Sequence, residues 1–208
     1  MTSSVAVAVL ARRAELGKGK RRLAATLGDA ETLGVYRRLI RRCAGVVAAS
    51  GLPATVFFEP AVGDADVWPA TRFAYATQPQ TSDLGARLAA AAAAALAEHD
   101  GVLLIGTDCP DLTPELLAEA AGALATHDAV LGPSTDGGYY LLGIRRADAS
   151  LFAGISWGTA EVAAETTAAL ARIGWRTHVL PALTDVDEEP DWRAYLRRAQ
   201  RPPLRPSP

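Results

Sequence analysis

Lysine is nearly missing: of 21 basic residues, all but Lys18 and Lys20 are arginine. Cysteine occurs twice, at Cys43 and Cys109, which gives neither a disulfide framework nor a zinc-ligand spacing. The three histidines, His99, His127 and His178, are scattered, so a zinc hydrolase is a poor reading. Aromatic residues make up 6% of the 208 positions and do not interleave with a wide basic surface. A nucleic-acid partner is therefore not expected. No apolar run approaches the roughly 20 residues that cross a bilayer, and no basic segment precedes the apolar start. The expectation is a cytoplasmic chain with no membrane partner.

Half the residues are apolar and 21% are charged, an ordinary globular balance. The length fits a single domain over 1–200, with 201–208 (RPPLRPSP) reading as a disordered tail. The net charge of −2 is unevenly spread, because residues 1–42 carry ten Lys/Arg against three Asp/Glu. Such asymmetry points to an anion-binding end and an acidic remainder suited to a metal. Arg37, Arg38, Arg41 and Arg42 read instead as a solvated helix face.

Short apolar runs alternate with helical patterns. Strands are expected at 5–10, 55–58, 72–76, 102–105, 129–132, 139–144 and 177–179. Helices are expected at about 29–49, 85–98, 114–125, 159–173 and 190–200, the third opened by Thr113 as cap and Pro114 at its first position. In the helix after residue 84, Leu84, Leu88 and Leu96 read as the buried side. This alternation implies an α/β fold, a mainly parallel sheet covered on both faces. In such sheets ligands bind beyond the carboxyl ends of the strands.

Three loops at those ends carry the chemistry. ARRAELGKGKRRLAATLG sets Lys18, Lys20, Arg21 and Arg22 around two glycines. Glycine admits an anion to the backbone and the cations neutralise it. It is neither a Walker A loop nor a dinucleotide fingerprint, and a solvated basic loop remains an alternative. VLLIGTDCPDLTPELL delivers Asp108 to the end of an apolar strand, where a carboxylate can hold Mg²⁺ or Mn²⁺ against phosphate oxygens. Asp111 reads as a supporter of the turn, and Cys109 as a small, inert packing residue. DAVLGPSTDGGYYLLGI places Asp136, Gly137 and Gly138 between two apolar runs. That is a hairpin signal by itself, and also a carboxylate beside permissive backbone. Later, LTDVDEEPDW offers Asp185 and Asp187, either of which is able to complete a metal's protein ligands.

Taken together, IGTDCPDLTPELL and LGPSTDGGYYLLG resemble a bacterial family of small glycosyltransferase-A-fold proteins, catalogued as a domain of unknown function and grouped with glycosyltransferases. GKGKRRLAATLG, QPQTSDLGARL, ISWGTAEV and LPALTDVDEEPDW support the likeness, which spans about residues 5–196. More distantly the chain is similar to guanylyltransferases acting on molybdenum cofactor or phospholactate. The resemblance implies a three-layer nucleotide-diphospho-sugar transferase fold with one reversed strand. It implies that the backbone of Ala11 and Arg12 meets the base or ribose, with Asp83 and Gly85 also on the nucleotide side. Lys20 and Arg22 would hold phosphates, and Asp108 and Asp187 would bind Mg²⁺ or Mn²⁺. Asp136, Gly137 and Gly138 would face the transferred group or a small-molecule acceptor, with Trp157 and Thr159. Core packing explains Trp157 equally well.

The chain departs from the family pattern on the donor side. Ala14 and Leu16 stand where prolines are usual, Arg21 replaces a threonine, and Thr81-Ser82 replaces a glycine before Asp83. The expected function is metal-dependent glycosyl transfer from a nucleotide sugar, with Lys20, Arg22 and Asp136 catalytic. Nucleotidylyl transfer from a nucleoside triphosphate, with release of pyrophosphate, is the alternative, and a non-catalytic nucleotide-binding protein is a third. Oligomeric state is not legible.

Overall fold

A computed structural model gives the structure of the protein at residues 4–59, 67–81 and 83–200. The tail expected at 201–208 and Ser82 lie outside the described residues. Among the described residues seven strands form one sheet in the order β3-β2-β1-β4-β6-β5-β7. They are β1 (Val5–Arg12), β2 (Ala54–Glu59), β3 (Ala74–Thr77), β4 (Gly101–Ile105), β5 (Ala129–Pro133), β6 (Tyr139–Ile144) and β7 (Thr177–Val179). Only β6 runs against its neighbours: it is antiparallel to both β4 and β5, and every other pairing is parallel. This is the α/β fold with one reversed strand that the sequence implied.

Central strands are apolar on both faces because helices cover both. From β1, Val5, Val7 and Val9 join a core with Tyr36, Ile40 and Cys43 of α2 (Asp29–Ser50) and Leu117 and Ala120 of α4 (Pro114–Ala123). Ala8 of the same strand faces the other way, toward Leu88 and Ala91 of α3 (Leu84–Leu96) and Leu170 of α5 (Val162–Arg172). The period-2 alternation of side chains makes one strand serve two cores. A third, smaller cluster joins Leu23 of α1 (Arg21–Leu27), Leu39 of α2, Val186 and Trp192 of α6 (Glu189–Ala199). It ties α6 and the segment before it to α1 and α2.

Two expectations need correction. Helix α1 was not anticipated. Leu84 is 39% exposed rather than buried; the inner side of α3 is Gly85, Arg87, Leu88, Ala91 and Ala92. At 100° per residue Leu84 and Leu88 lie 40° apart, enough to turn a residue in the first turn to the helix flank. The cap at Thr113 holds, its side chain accepting from Leu116 N.

Candidate functional site

Four adjacent parallel strands end side by side, and the segments leaving them enclose a cavity of about 640 Å³. That size suits a small ligand or cofactor. Its walls include Ala11 and Arg12 from the end of β1, Glu59 from β2, Gln78 after β3 and Gly106–Asp108 after β4. The loop of residues 18–22 closes one side, and Leu84 and Arg87 of α3 another. Among the described residues that line it, seven are cationic and four anionic, an excess of three positive charges.

The sharpest feature is Lys20. Its ammonium donates to Val186 O at 2.6 Å and Asp187 Oδ1 at 2.8 Å, and stands 3.0 Å from Asp108 Oδ2. The side chain is 7% exposed. Burial alone would lower its pKa, but Asp108 and Asp187 overturn that and raise it. Burial likewise opposes ionisation of Asp187, and Lys20, then Arg22, outweigh it and hold that carboxyl below its usual range. Arg22 reaches Asp187 Oδ2 at 3.0 Å. Val186 N donates to Asp108 O at 2.9 Å, lacing the loop before α6 to the loop after β4. The basic start and the acidic middle and end of the chain thus meet at one place.

Asp185 behaves differently from its near neighbour. Its Oδ1 is fully enclosed without a partner. Burial, then the charges of Asp108 and Asp136, push its pKa up to about 7. It links the Asp108 side of the site electrostatically to the hairpin between β5 and β6.

On the far side of β1 a second network forms. Glu59 Oε2 accepts from Arg12 at 3.0 Å and from Arg87, while Arg87 also donates to Thr81 O. Buried Gln78 donates its amide to Phe57 O at 2.8 Å and Ala11 O at 3.2 Å, and the Tyr36 hydroxyl donates to Arg12 O at 3.1 Å. The backbone of Ala11 and Arg12 was expected to meet a base or ribose; both residues line the cavity, and their carbonyls each accept one of these bonds. Glu59, Gln78, Tyr36 and Arg87 were not anticipated as wall residues.

Asp83 and Gly85 are not among the cavity-lining residues. Asp83 caps α3 by accepting from Gly85 N at 2.9 Å. A Cβ on Gly85 would lie 2.9 Å from both Phe152 O and Trp157 Nε1, so the glycine permits close packing there. The expected acceptor group is absent from the cavity wall as well. Asp136 is exposed, and its Oδ1 accepts from Gly138 N at 3.0 Å and from Ser134 Oγ, building the turn. Gly137 has φ 91°, and a Cβ there would stand 2.0 Å from Ala160 O. Its own carbonyl accepts from Ala163 N. Trp157 is half-buried against Tyr139, ring centroids 6.4 Å apart, and Thr159 is exposed and donates to Ser156 O. These two residues sit in the segment that buttresses the turn. Asp111 pairs with Arg198 on the surface, and burial raises the pKa of Cys109, consistent with supporting and inert roles.

Residues 43–159 match the model of a family described as an uncharacterized protein conserved in bacteria (DUF2064). The chain belongs to this family. The match contains Asp108 and the Asp136-Gly137-Gly138 turn, and leaves Lys20 and Asp187 outside. A solved structure from Desulfovibrio desulfuricans G20, assigned as a nucleotide-diphospho-sugar transferase, is 30% identical over 99% of this chain and 92% of its own, with a TM-score of 0.87. Two others share the fold at lower identity. A nucleotidyl transferase from Methanothermobacter is 16% identical, covering 95% of this chain and 99% of its own, TM-score 0.61. Glucosyl-3-phosphoglycerate synthase from Mycobacterium tuberculosis, solved with Mn²⁺, uridine diphosphate and glucosyl-3-phosphoglycerate, is 12% identical, covering 95% and 77%, TM-score 0.57. No curated protein matches the chain. Among the described residues no helix is long and apolar enough to cross a membrane.

In this DUF2064 chain two carboxylates meet across one ammonium. Asp108 and Asp187 approach the same point from two loops, and a hard cation held by one or two carboxylates, with phosphates and water completing the shell, fits that donor set. Among the described residues no cluster of three or more His, Cys, Asp or Glu is arranged to hold a metal without help. The donor chemistry fits a metal that arrives with phosphate.

Proposed function

We propose that the protein is a nucleotide-dependent transferase that holds the nucleotide's phosphates between the residue 18–22 loop and a divalent cation on Asp108 and Asp187. The observation that carries this reading is the meeting of Lys20, Arg22, Asp108 and Asp187 at the wall of one cavity of about 640 Å³. Mg²⁺ or Mn²⁺ bound there would supply positive charge to a departing phosphate. Lys18, Arg21 and Arg22, exposed at the cavity wall, add positive charge beside that position. Glu59 at the end of β2, Gln78 just after β3 and Arg87 of α3 lie across β1 from Asp108 and form the end suited to the nucleoside. The acceptor is a small molecule entering from the Asp136 side, where the second carboxylate oxygen, Oδ2, faces outward from the turn that Oδ1 holds together.

Nucleotide-sugar and triphosphate donors differ in charge. A nucleoside diphosphate sugar carries roughly two negative charges and a triphosphate up to roughly four, since a terminal phosphate is close to doubly ionised at neutral pH. The excess of three positive charges among the described lining residues, before any cation is added, favours the triphosphate and hence nucleotidylyl transfer over the glycosyl transfer that the sequence put first. A panel of nucleoside triphosphates and nucleotide sugars with Mg²⁺ separates them. Pyrophosphate release identifies nucleotidylyl transfer, nucleoside diphosphate release identifies glycosyl transfer, and binding without turnover marks a non-catalytic protein. Asp108→Asn is expected to lower turnover about 100-fold or more; an unaffected rate would remove Asp108 from the chemistry.

A further inference from the structure

Lys20 is fully committed. An ammonium has three hydrogens, and three oxygens stand within 3.0 Å of its nitrogen: Val186 O, Asp187 Oδ1 and Asp108 Oδ2. Among the described non-glycine residues it alone has a positive φ, 44°, following Gly19 at 76°. The backbone strain and the 7% exposure both place the charge at the point where the two carboxylates converge.

Resting on the nucleotide reading above, we infer that Lys20 is the resident cation of this site and makes divalent-cation binding conditional on a polyphosphate. A dication drawn to Asp108 and Asp187 alone would strip the ammonium of two of its three acceptors and set like charges side by side in a half-buried place. Removing the partners of a buried ion is strongly unfavourable. Phosphate oxygens at the 18–22 loop give the ammonium other acceptors, and the carboxylates are then released. The coupling is reciprocal by linkage: whatever factor a polyphosphate adds to cation affinity, the cation adds to polyphosphate affinity. Lys20 is in this sense a positioning residue that sets the order of binding.

With only two lysines in the chain, ammonium NMR of ¹⁵N-lysine-labelled protein reads this directly. The buried Lys20 signal is expected to be unmoved by millimolar Mg²⁺ alone and to shift when inorganic tripolyphosphate is added, with or without Mg²⁺. A shift with Mg²⁺ alone overturns the inference. Tripolyphosphate or nucleotide that binds by calorimetry yet leaves the Lys20 signal in place also overturns it, while sparing the nucleotide reading. Failure of tripolyphosphate and of every nucleoside triphosphate to bind sinks the nucleotide reading instead. As a second arm, Lys20→Met is expected to bind Mn²⁺ alone at least about tenfold tighter than the parent, within the usual range of coupling factors. Equal affinities count against the inference, and cooperative unfolding of the variant verifies that it folds.

Discussion

Replacing both Asp108 and Asp187 by asparagine is expected to destabilise the protein by more than the two single changes added together. Lys20 is 7% exposed, while the carboxylates beside it are 40% and 33% exposed. Either carboxylate alone still neutralises the ammonium, so each single change is expected to cost about 1 kcal/mol, discounted for the exposed partner. For Asp108→Asn, relief of repulsion with Asp185 offsets part of that cost. Losing both leaves a buried ammonium with only neutral acceptors, Val186 O and the asparagine amide oxygens, and no counter-charge beside it. An uncompensated buried charge costs about 3–5 kcal/mol. The coupling between the sites is then about 1–3 kcal/mol, within the range measured for residues in one network. Urea unfolding followed by tryptophan fluorescence, at pH 7.5 with a chelator present, gives all four corners of the cycle. In a Lys20→Met background the same double change should be nearly neutral. A double variant no less stable than the weaker single would refute the claim that Lys20 is buried between these two acids.

Gly137→Ala should cost at least about 3 kcal/mol, since left-handed strain adds to a clash with the Ala160 carbonyl that neither backbone can relieve. Chemical denaturation checks it, and a change below about 1 kcal/mol would contradict the turn's geometry. Asp185 keeps in the folded state a proton that the unfolded chain gives up, so stability falls as pH rises from 3.8 to about 7. Asp185→Asn in metal-free protein should therefore raise the melting temperature more at pH 8 than at pH 4. An equal effect at both would place its pKa near the ordinary value.

The sheet was legible because its strands are nearly continuous apolar runs bounded by turn residues, whereas the reversed strand was implied by the family resemblance, with Asp136-Gly137-Gly138 offering only a hairpin signal beside it. Helix α1 was not legible. It spans seven residues, begins with two arginines and has no side-chain cap, Lys20 in a left-handed conformation standing where a cap would be. The charge asymmetry correctly brought the residue 18–22 loop and the later acids together. Spacing, though, did not foretell that Asp185 and Asp187, two residues apart, would meet opposite environments, one enclosed and repelled, the other paired with cations. Glu59, Gln78 and Arg87 escaped notice because each looks like an ordinary strand end or helix residue. They become a wall only when β2, β3 and α3 are brought together. Asp83 and Thr159 are the converse: local hydrogen bonds, a helix cap for Asp83 and a turn bond to Ser156 O for Thr159, account for their positions, and neither lines the cavity wall.

A crystal structure of the protein with a slowly hydrolysed nucleoside triphosphate and Mn²⁺ tests the whole account most directly. It predicts phosphate oxygens within hydrogen-bonding distance of the 18–22 loop, Mn²⁺ on Asp108 and Asp187, and the nucleoside toward Glu59 and Gln78. Phosphates bound elsewhere, or Mn²⁺ held away from both carboxylates, would contradict it.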